Sequence, residues 1–257
     1  LLGCPSHPQP EVRQDVPSGA PSETGAATVA PSASAAPAVP FVPQKVTSQD
    51  RAMGTHVSFA AYTTPRLDEI AVQTAFAAAL AEIRRVEALM TTWHPSDLTR
   101  INDAAGQAPV TVDPETLHLI QESIHTSEIS KGTFDITFES LHGLWKFDED
   151  LDRHPPTAAQ VHAKLPLVDY RHIHVDAERR TVFLDKPGVR ISLGGIAKGY
   201  AVDRATAVLD KAGLTSFFVQ AGGDLFTRGR KPNGDEWQTG IRDPRGEEGK
   251  FFALLPV

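Results

Sequence analysis

A break in composition near residue 44 limits what this chain can build. Residues 1–43 hold nine Pro, eight Ala, five Ser and three Gly, 25 of 43 positions. A stretch of that kind has too little apolar surface to offset the entropy of ordering it. It is expected to run as an extended, partly polyproline tether. Periodic apolar patterning starts near Lys45, so the division is 1–44 for the linker and 45–257 for a folded domain.

The lone cysteine of the chain is Cys4. A single Cys excludes an intrachain disulfide framework and multi-Cys zinc or iron–sulfur sites. Leu1-Leu2-Gly3-Cys4 resembles the lipobox of bacterial lipoproteins, where the Cys carries lipid after signal cleavage. A lipidated Cys4 on a tether would hold the domain at a bilayer, in a periplasmic or other extracytoplasmic setting. The charged and apolar parts of a signal peptide do not precede it, so the sequence is expected to begin inside its signal. The formal charge of −7 argues against nucleic acid as a partner, and three Tyr with three Trp offer little for base stacking. No apolar run reaches the ~18 residues of a membrane-spanning helix.

Within 45–257 the pattern mixes helices and strands without strict βα alternation, which indicates an α+β fold. Thr55–Tyr62 reads as a strand. Thr64-Pro65 reads as a helix start, with Leu67, Ile70, Ala71, Ala77, Leu80, Ile83, Val86 and Met90 as its buried stripe. TTWHPSDLTRIN follows as a loop. Asp113-Pro114 opens a second helix with Leu117, Ile120 and Ile124 inward and Gly132 past its end. Thr157 and Gln160 have capping-box spacing for a short third helix. Strands are expected at Arg171–Val175, Thr181–Leu184 and Val189–Leu193. A helix is expected from Gly194-Gly195 to about Ala212, stopped by Gly213. Further strands are expected at Ser216–Gln220, Leu225–Gly229 and Trp237–Ile241.

The segment ISLGGIAKGYAVD (191–203) carries the most chemistry. A strand meets two glycines and then a helix with Lys198 in its first turn. Unpaired N–H groups, the helix dipole and a full positive charge suit an anion such as a diphosphate. It is neither a Walker A loop nor G-x-G-x-x-G. The local residues fit a plain strand-to-helix turn equally well. KGTFDIT (131–137) offers an aromatic face and a carboxylate, or simply a helix stop followed by a strand. AGGD (221–224) and MGT (53–55) read alone as turns. His172, His174 and Asp176 alternate as they would on one strand face, which reads as solvated rather than metal-binding. The acidic run Asp148-Glu149-Asp150 with Asp152 lacks EF-hand spacing and reads as a loop.

In order, MGT, TTWHPSDLTRIN, GTFDIT, LHGLW, LGGIAKGYAVDRA, AGGD, GRKPNG and GIRDP resemble the ApbE-like flavin transferases, from about Met53 to Pro244. That resemblance implies a T-fold-like α+β domain that uses FAD with Mg²⁺. Such proteins move FMN from FAD onto a Thr or Ser hydroxyl of an acceptor flavoprotein subunit in a membrane-linked redox system, and release AMP. It implies FAD contacts at Met53, Trp93 (where relatives often have Tyr), Thr133, Phe134, Asp135, Ser192 and Lys198. It also implies a metal contact from the Gly195 backbone carbonyl. Ser192 stands where Asp is common, which removes a charge, and Gln220 stands where Asn is commoner. The family's catalytic His and side-chain metal ligands are expected beyond Val257, because Phe251–Val257 reads as the middle of a strand. Two alternatives are a FAD pyrophosphatase giving FMN and AMP, and a non-catalytic FAD-binding lipoprotein.

Overall fold

Two residues turn the chain between its first two strands. The computed structural model describes residues 40–145, 154–247 and 249–257, and Phe41–Val257 form one compact unit. Strands β1 (Lys45–Ala52) and β2 (Thr55–Tyr62) pair antiparallel, from Lys45 opposite Tyr62 to Ala52 opposite Thr55. β1 has no readable apolar alternation, because it is the edge strand of its sheet and buries only Val46 and Ala52. Polar side chains such as Lys45, Asp50 and Arg51 also suit an edge that must not pair with another chain.

β2 pairs with β6 (Phe217–Ala221), which pairs with β7 (Asp224–Arg228), giving a four-stranded antiparallel sheet in the order β1-β2-β6-β7. A second sheet holds β3 (Val110–Thr111), β4 (Ile173–Asp176) and β5 (Thr181–Leu184) in the order β3-β5-β4. β8 (Gln238–Arg242) and β9 (Phe251–Pro256) form an antiparallel hairpin. The architecture is α+β, as expected. Helices α1 (Glu69–Met90) and α5 (Ala197–Lys211) pack against each other and the first sheet. Ala201 and Ala205 let α5 approach closely, while Phe76 of α1 stacks on Phe59 of β2 with centroids 5.3 Å apart. The remaining helices are α2 (Asp97–Asp103), α3 (Pro114–Ile129) and α4 (Ala158–Lys164). The caps expected at Asp113 and at Thr157 with Gln160 both form.

Several expectations need correction. α1 starts at Asp68, whose carboxylate accepts from Ala71 N–H, and Thr64-Pro65 is instead a tight turn. Ile70 (76% exposed) and Ala77 lie on the solvent face of α1, and its buried stripe runs through Val72, Ala75, Phe76, Ala79, Leu80, Ile83, Val86 and Met90. The segment read as a loop contains α2, opened by a reciprocal capping box between Ser96 and Thr99. The residues after Phe134 wind into a 3-10 helix (Ile136–Leu141) rather than a strand, because Asp135 caps them. Tyr170–His172 also form a 3-10 turn, so β4 begins only at Ile173. His172 and His174 both bond to Asp185, at 2.8 and 2.9 Å. Cys4 and the acidic run near Asp150 lie outside the described residues.

The expected strand Val189–Leu193 does not form, although Val189, Ile191 and Leu193 are buried with strand-like alternation. Side chains and a turn take the place of a neighbouring strand. Asn102 of α2 donates to the Ile191 carbonyl at 3.0 Å and accepts from the Ile191 N–H at 2.7 Å. Arg190 N–H donates to Ser140 Oγ, and Ser192 N–H donates to the Ile136 carbonyl. Asn102→Ala leaves a buried N–H and a buried C=O unpartnered, so it is expected to lower stability by about 2–4 kcal/mol, read by urea unfolding.

A charged cluster ties α1, α3 and α5 together. Arg85 pairs with Glu82 and Glu115, Arg204 pairs with Glu82, and the Tyr200 hydroxyl donates to Glu115 at 2.6 Å. The Arg85 hydrogen bond, helped by Arg204, draws the Glu82 carboxyl from 4.5 down to about 2 against the opposing effect of burial. A depressed carboxyl stabilises the fold above its unfolded range, and that contribution is lost as pH falls from about 4.5 to about 2. Glu82→Gln should therefore narrow the stability difference between about pH 6 and about pH 3 in urea unfolding.

Candidate functional site

Two hairpin tips and one helix start meet at the same end of the first sheet. Met53 and Gly54 form the two-residue link between β1 and β2, with φ of 53° and 67°. That turn asks for a left-handed backbone at both positions, which is unfavourable for Met by about 1 kcal/mol. Gly222 and Gly223 link β6 to β7 in the same manner, with φ of 61° and 108°. Gly222 N–H donates to the His56 carbonyl, and a Cβ at Gly222 would lie 2.7 Å from Thr55 Oγ1. The AGGD turn thus nests against MGT. Asp224 lies beside Gly199 in the first turn of α5.

A cavity of about 720 Å³ opens here, within the ~300–1,000 Å³ usual for small-molecule sites. Its wall includes Met53, Trp93, Ser192, Gly194 and Lys198, so four of the expected site residues converge. Trp93 is 74% exposed, an indole presented to solvent at the cavity edge. Lys198 is half-buried as a residue, and its ammonium reaches only the Gly194 carbonyl, at 3.4 Å; among the described residues no carboxylate pairs with it. Ser192 Oγ accepts from Gly194 N–H at 3.2 Å and so shapes the loop.

Thr133, Phe134 and Asp135 do not line this cavity. Thr133 is exposed. The Phe134 ring instead props the glycine loop, since a Cβ at Gly195 would lie 3.1 Å from it. Asp135 is taken up in bracing: Oδ1 accepts from the Thr137 N–H and hydroxyl, and Oδ2 accepts from Tyr170 N–H at 2.8 Å. Gly195 is exposed beside the cavity-lining Gly194.

Sequence reasoning missed the α1 wall. Arg84, Glu87, Ala88 and Thr91 line the cavity. Their spacing of i, i+3, i+4 and i+7 marks one helix face and is the signal that reveals them. Arg84 also pairs with Asp50 of β1 at 2.8 Å. The arrangement combines a free cation at a helix start, a glycine loop and an exposed indole. It can hold an anionic ligand that carries a flat ring.

The ApbE family matches over residues 53–257. A FAD:protein FMN transferase of Klebsiella pneumoniae is 32% identical over 176 residues, covering 68% of this chain and 54% of that protein. One of Treponema pallidum is 34% identical over 176 residues, covering 63% and 48%. Among solved structures, the ApbE protein of Thermotoga maritima aligns with a TM-score of 0.74 at 30% identity, covering 83% of this chain and 68% of that one. The flavin transferase ApbE of Vibrio cholerae aligns with a TM-score of 0.69 at 27% identity, covering 79% and 65%. The chain spans about half the length of the curated relatives it matches.

Proposed function

Because this chain belongs to the ApbE family, we propose that it binds FAD and serves transfer of FMN to a Thr or Ser hydroxyl of an acceptor flavoprotein, with release of AMP. The observation that carries this reading is Lys198, uncompensated by any described carboxylate, at the start of α5 beside a glycine loop and an exposed indole. Lys198 and the first-turn N–H groups would hold the diphosphate, and Trp93 and Met53 would pack on a ring system. Ser192, Thr133, Phe134 and Asp135 belong to the proposed FAD site as well. For Phe134 and Asp135 the geometry supports an indirect part, through the Gly195 loop and through the 3-10 helix.

In the proposed reaction the acceptor hydroxyl oxygen attacks the phosphorus on the FMN side of the diphosphate. A new P–O bond forms as the bond from that phosphorus to the bridging oxygen breaks. The electron pair leaves with AMP, and the hydroxyl proton passes to a base. Chemistry of this kind rests on positioning and charge stabilisation, to which the chain contributes Lys198 and the loop. The described residues do not by themselves fit a metal centre, since they contain no group of three or more His, Cys, Asp or Glu suited to one. Mg²⁺, with the Gly195 carbonyl as a contact, enters the proposal as an ion that would lean mainly on phosphate oxygens and water.

Lipidation of Cys4 and an extracytoplasmic, membrane-held location are also proposed. They rest on Leu1–Cys4 and the Pro/Ala/Ser-rich stretch behind it. Among the described residues no helix is long and apolar enough to cross a membrane. An acyl-modified Cys4 peptide from bacterial membranes is the expected mass-spectrometric result, and an unmodified peptide overturns that part.

Two measurements test the activity. Lys198→Ala is expected to weaken FAD binding by about tenfold or more, read by flavin fluorescence; unchanged affinity refutes the role. Incubation of the full-length protein with FAD, Mg²⁺ and a Thr-bearing acceptor is expected to give an FMN adduct by mass spectrometry. Free FMN and AMP without an adduct would point to hydrolysis and overturn transfer.

A further inference from the structure

His142 follows the 3-10 helix Ile136–Leu141, and its side chain is 60% exposed. An exposed imidazole ordinarily samples several rotamers, yet the Glu139 carboxylate faces this ring and hydrogen bonds anchor the backbone that carries it. Its N–H donates to the Glu139 carbonyl at 2.9 Å, and its Nδ1 lies 3.3 Å from Glu139 Oε1. Its own carbonyl accepts from Lys164 Nζ of α4 at 3.1 Å. Glu139 is itself 9% exposed, a costly place for a carboxyl. Burial pushes its pKa up, opposed by the facing His142 and Arg190. A partly buried acid that steadies a solvent-facing ring calls for a purpose beyond packing.

The ring meets Trp93 edge to face, with centroids 6.5 Å apart and planes at 71°. Trp93 lines the cavity, whereas His142 does not. Among the described residues Trp93 has few other supports: its backbone N–H donates to Thr91 Oγ1, and most of its surface is open. We propose that Glu139 and His142 form a positioning pair that holds the Trp93 indole as a preset wall of the cavity for a flat aromatic ligand. The flavin identity of that ligand rests on the function proposed above. Glu139 fixes His142, and His142 blocks the indole from rotating away. The ligand then meets a wall already in place rather than one it must order.

The test is a double-mutant cycle on the 257-residue chain, with a second readout that needs no flavin. His142→Ala is expected to lower FAD affinity about threefold to tenfold, in line with the strength of edge-to-face ring pairs. In a Trp93→Ala background the same change is expected to cost less than about twofold, because coupling appears only between residues in contact. His142→Phe, which keeps a ring but loses the Nδ1 that faces Glu139, is expected to regain only part of that affinity, and full recovery overturns the part given to Glu139. Without FAD, the Trp93 emission, taken as the difference between the chain and Trp93→Ala, is expected to become more open to acrylamide quenching in His142→Ala. Equal losses in both backgrounds, or unchanged Trp93 quenching, overturn the pair. If the unsubstituted chain fails to bind FAD, the proposed function falls, and the quenching result alone then upholds or overturns the pair.

Discussion

The clamp from Asn102 to Ile191 is the contact on which the site depends. The run Val189–Leu193 must be buried for its apolar side chains, yet it has no strand beside it to take its backbone groups. A carboxamide presents one donor and one acceptor in nearly the geometry of a peptide, so a single Asn replaces a rung of a sheet. The segment emerges from that clamp at Leu193, and the glycine loop and Lys198 follow at once. Where the cation sits is therefore decided 89 residues away in sequence, on α2.

The helices that carry the cavity wall are aligned by charge as well as by packing. Arg85 and Arg204 bridge two acids from different helices, and Tyr200 closes the cluster from the same helix as Lys198. α1 contributes Arg84, Glu87 and Ala88 to the cavity, and its C-cap residue Thr91 extends the same wall. The small residues Ala201 and Ala205 permit the close approach, and the ion pairs give it a preferred register.

Much of this was legible in the sequence. The α+β class, the helix opened by Asp113-Pro114, the capping box at Thr157 and the strand Thr181–Leu184 all follow from local patterns. The convergence of Met53, Trp93, Ser192 and Lys198 was readable only through family resemblance, because each lies on a different element and no spacing links them. What stayed hidden was tertiary. β1 has polar edge chemistry without alternation, and Val189–Leu193 has strand alternation without a partner strand. Thr133 and Asp135, grouped with the ligand contacts by sequence, lie outside the cavity wall, and Asp135 is spent on a local cap to Thr137 and on the Tyr170 N–H, 35 residues away, which no local rule would assign to it.

The nesting of Gly222 on Thr55 has a consequence for how this end of the sheet tolerates change. A Cβ at position 222 would meet Thr55 at 2.7 Å, and the φ of 61° already excludes most side chains. The two hairpin tips are therefore a single heritable unit, though 166 or more residues separate them in the sequence. A chimera that exchanges one tip for a relative's must bring the other with it, or the rim of the cavity opens at the seam between donors.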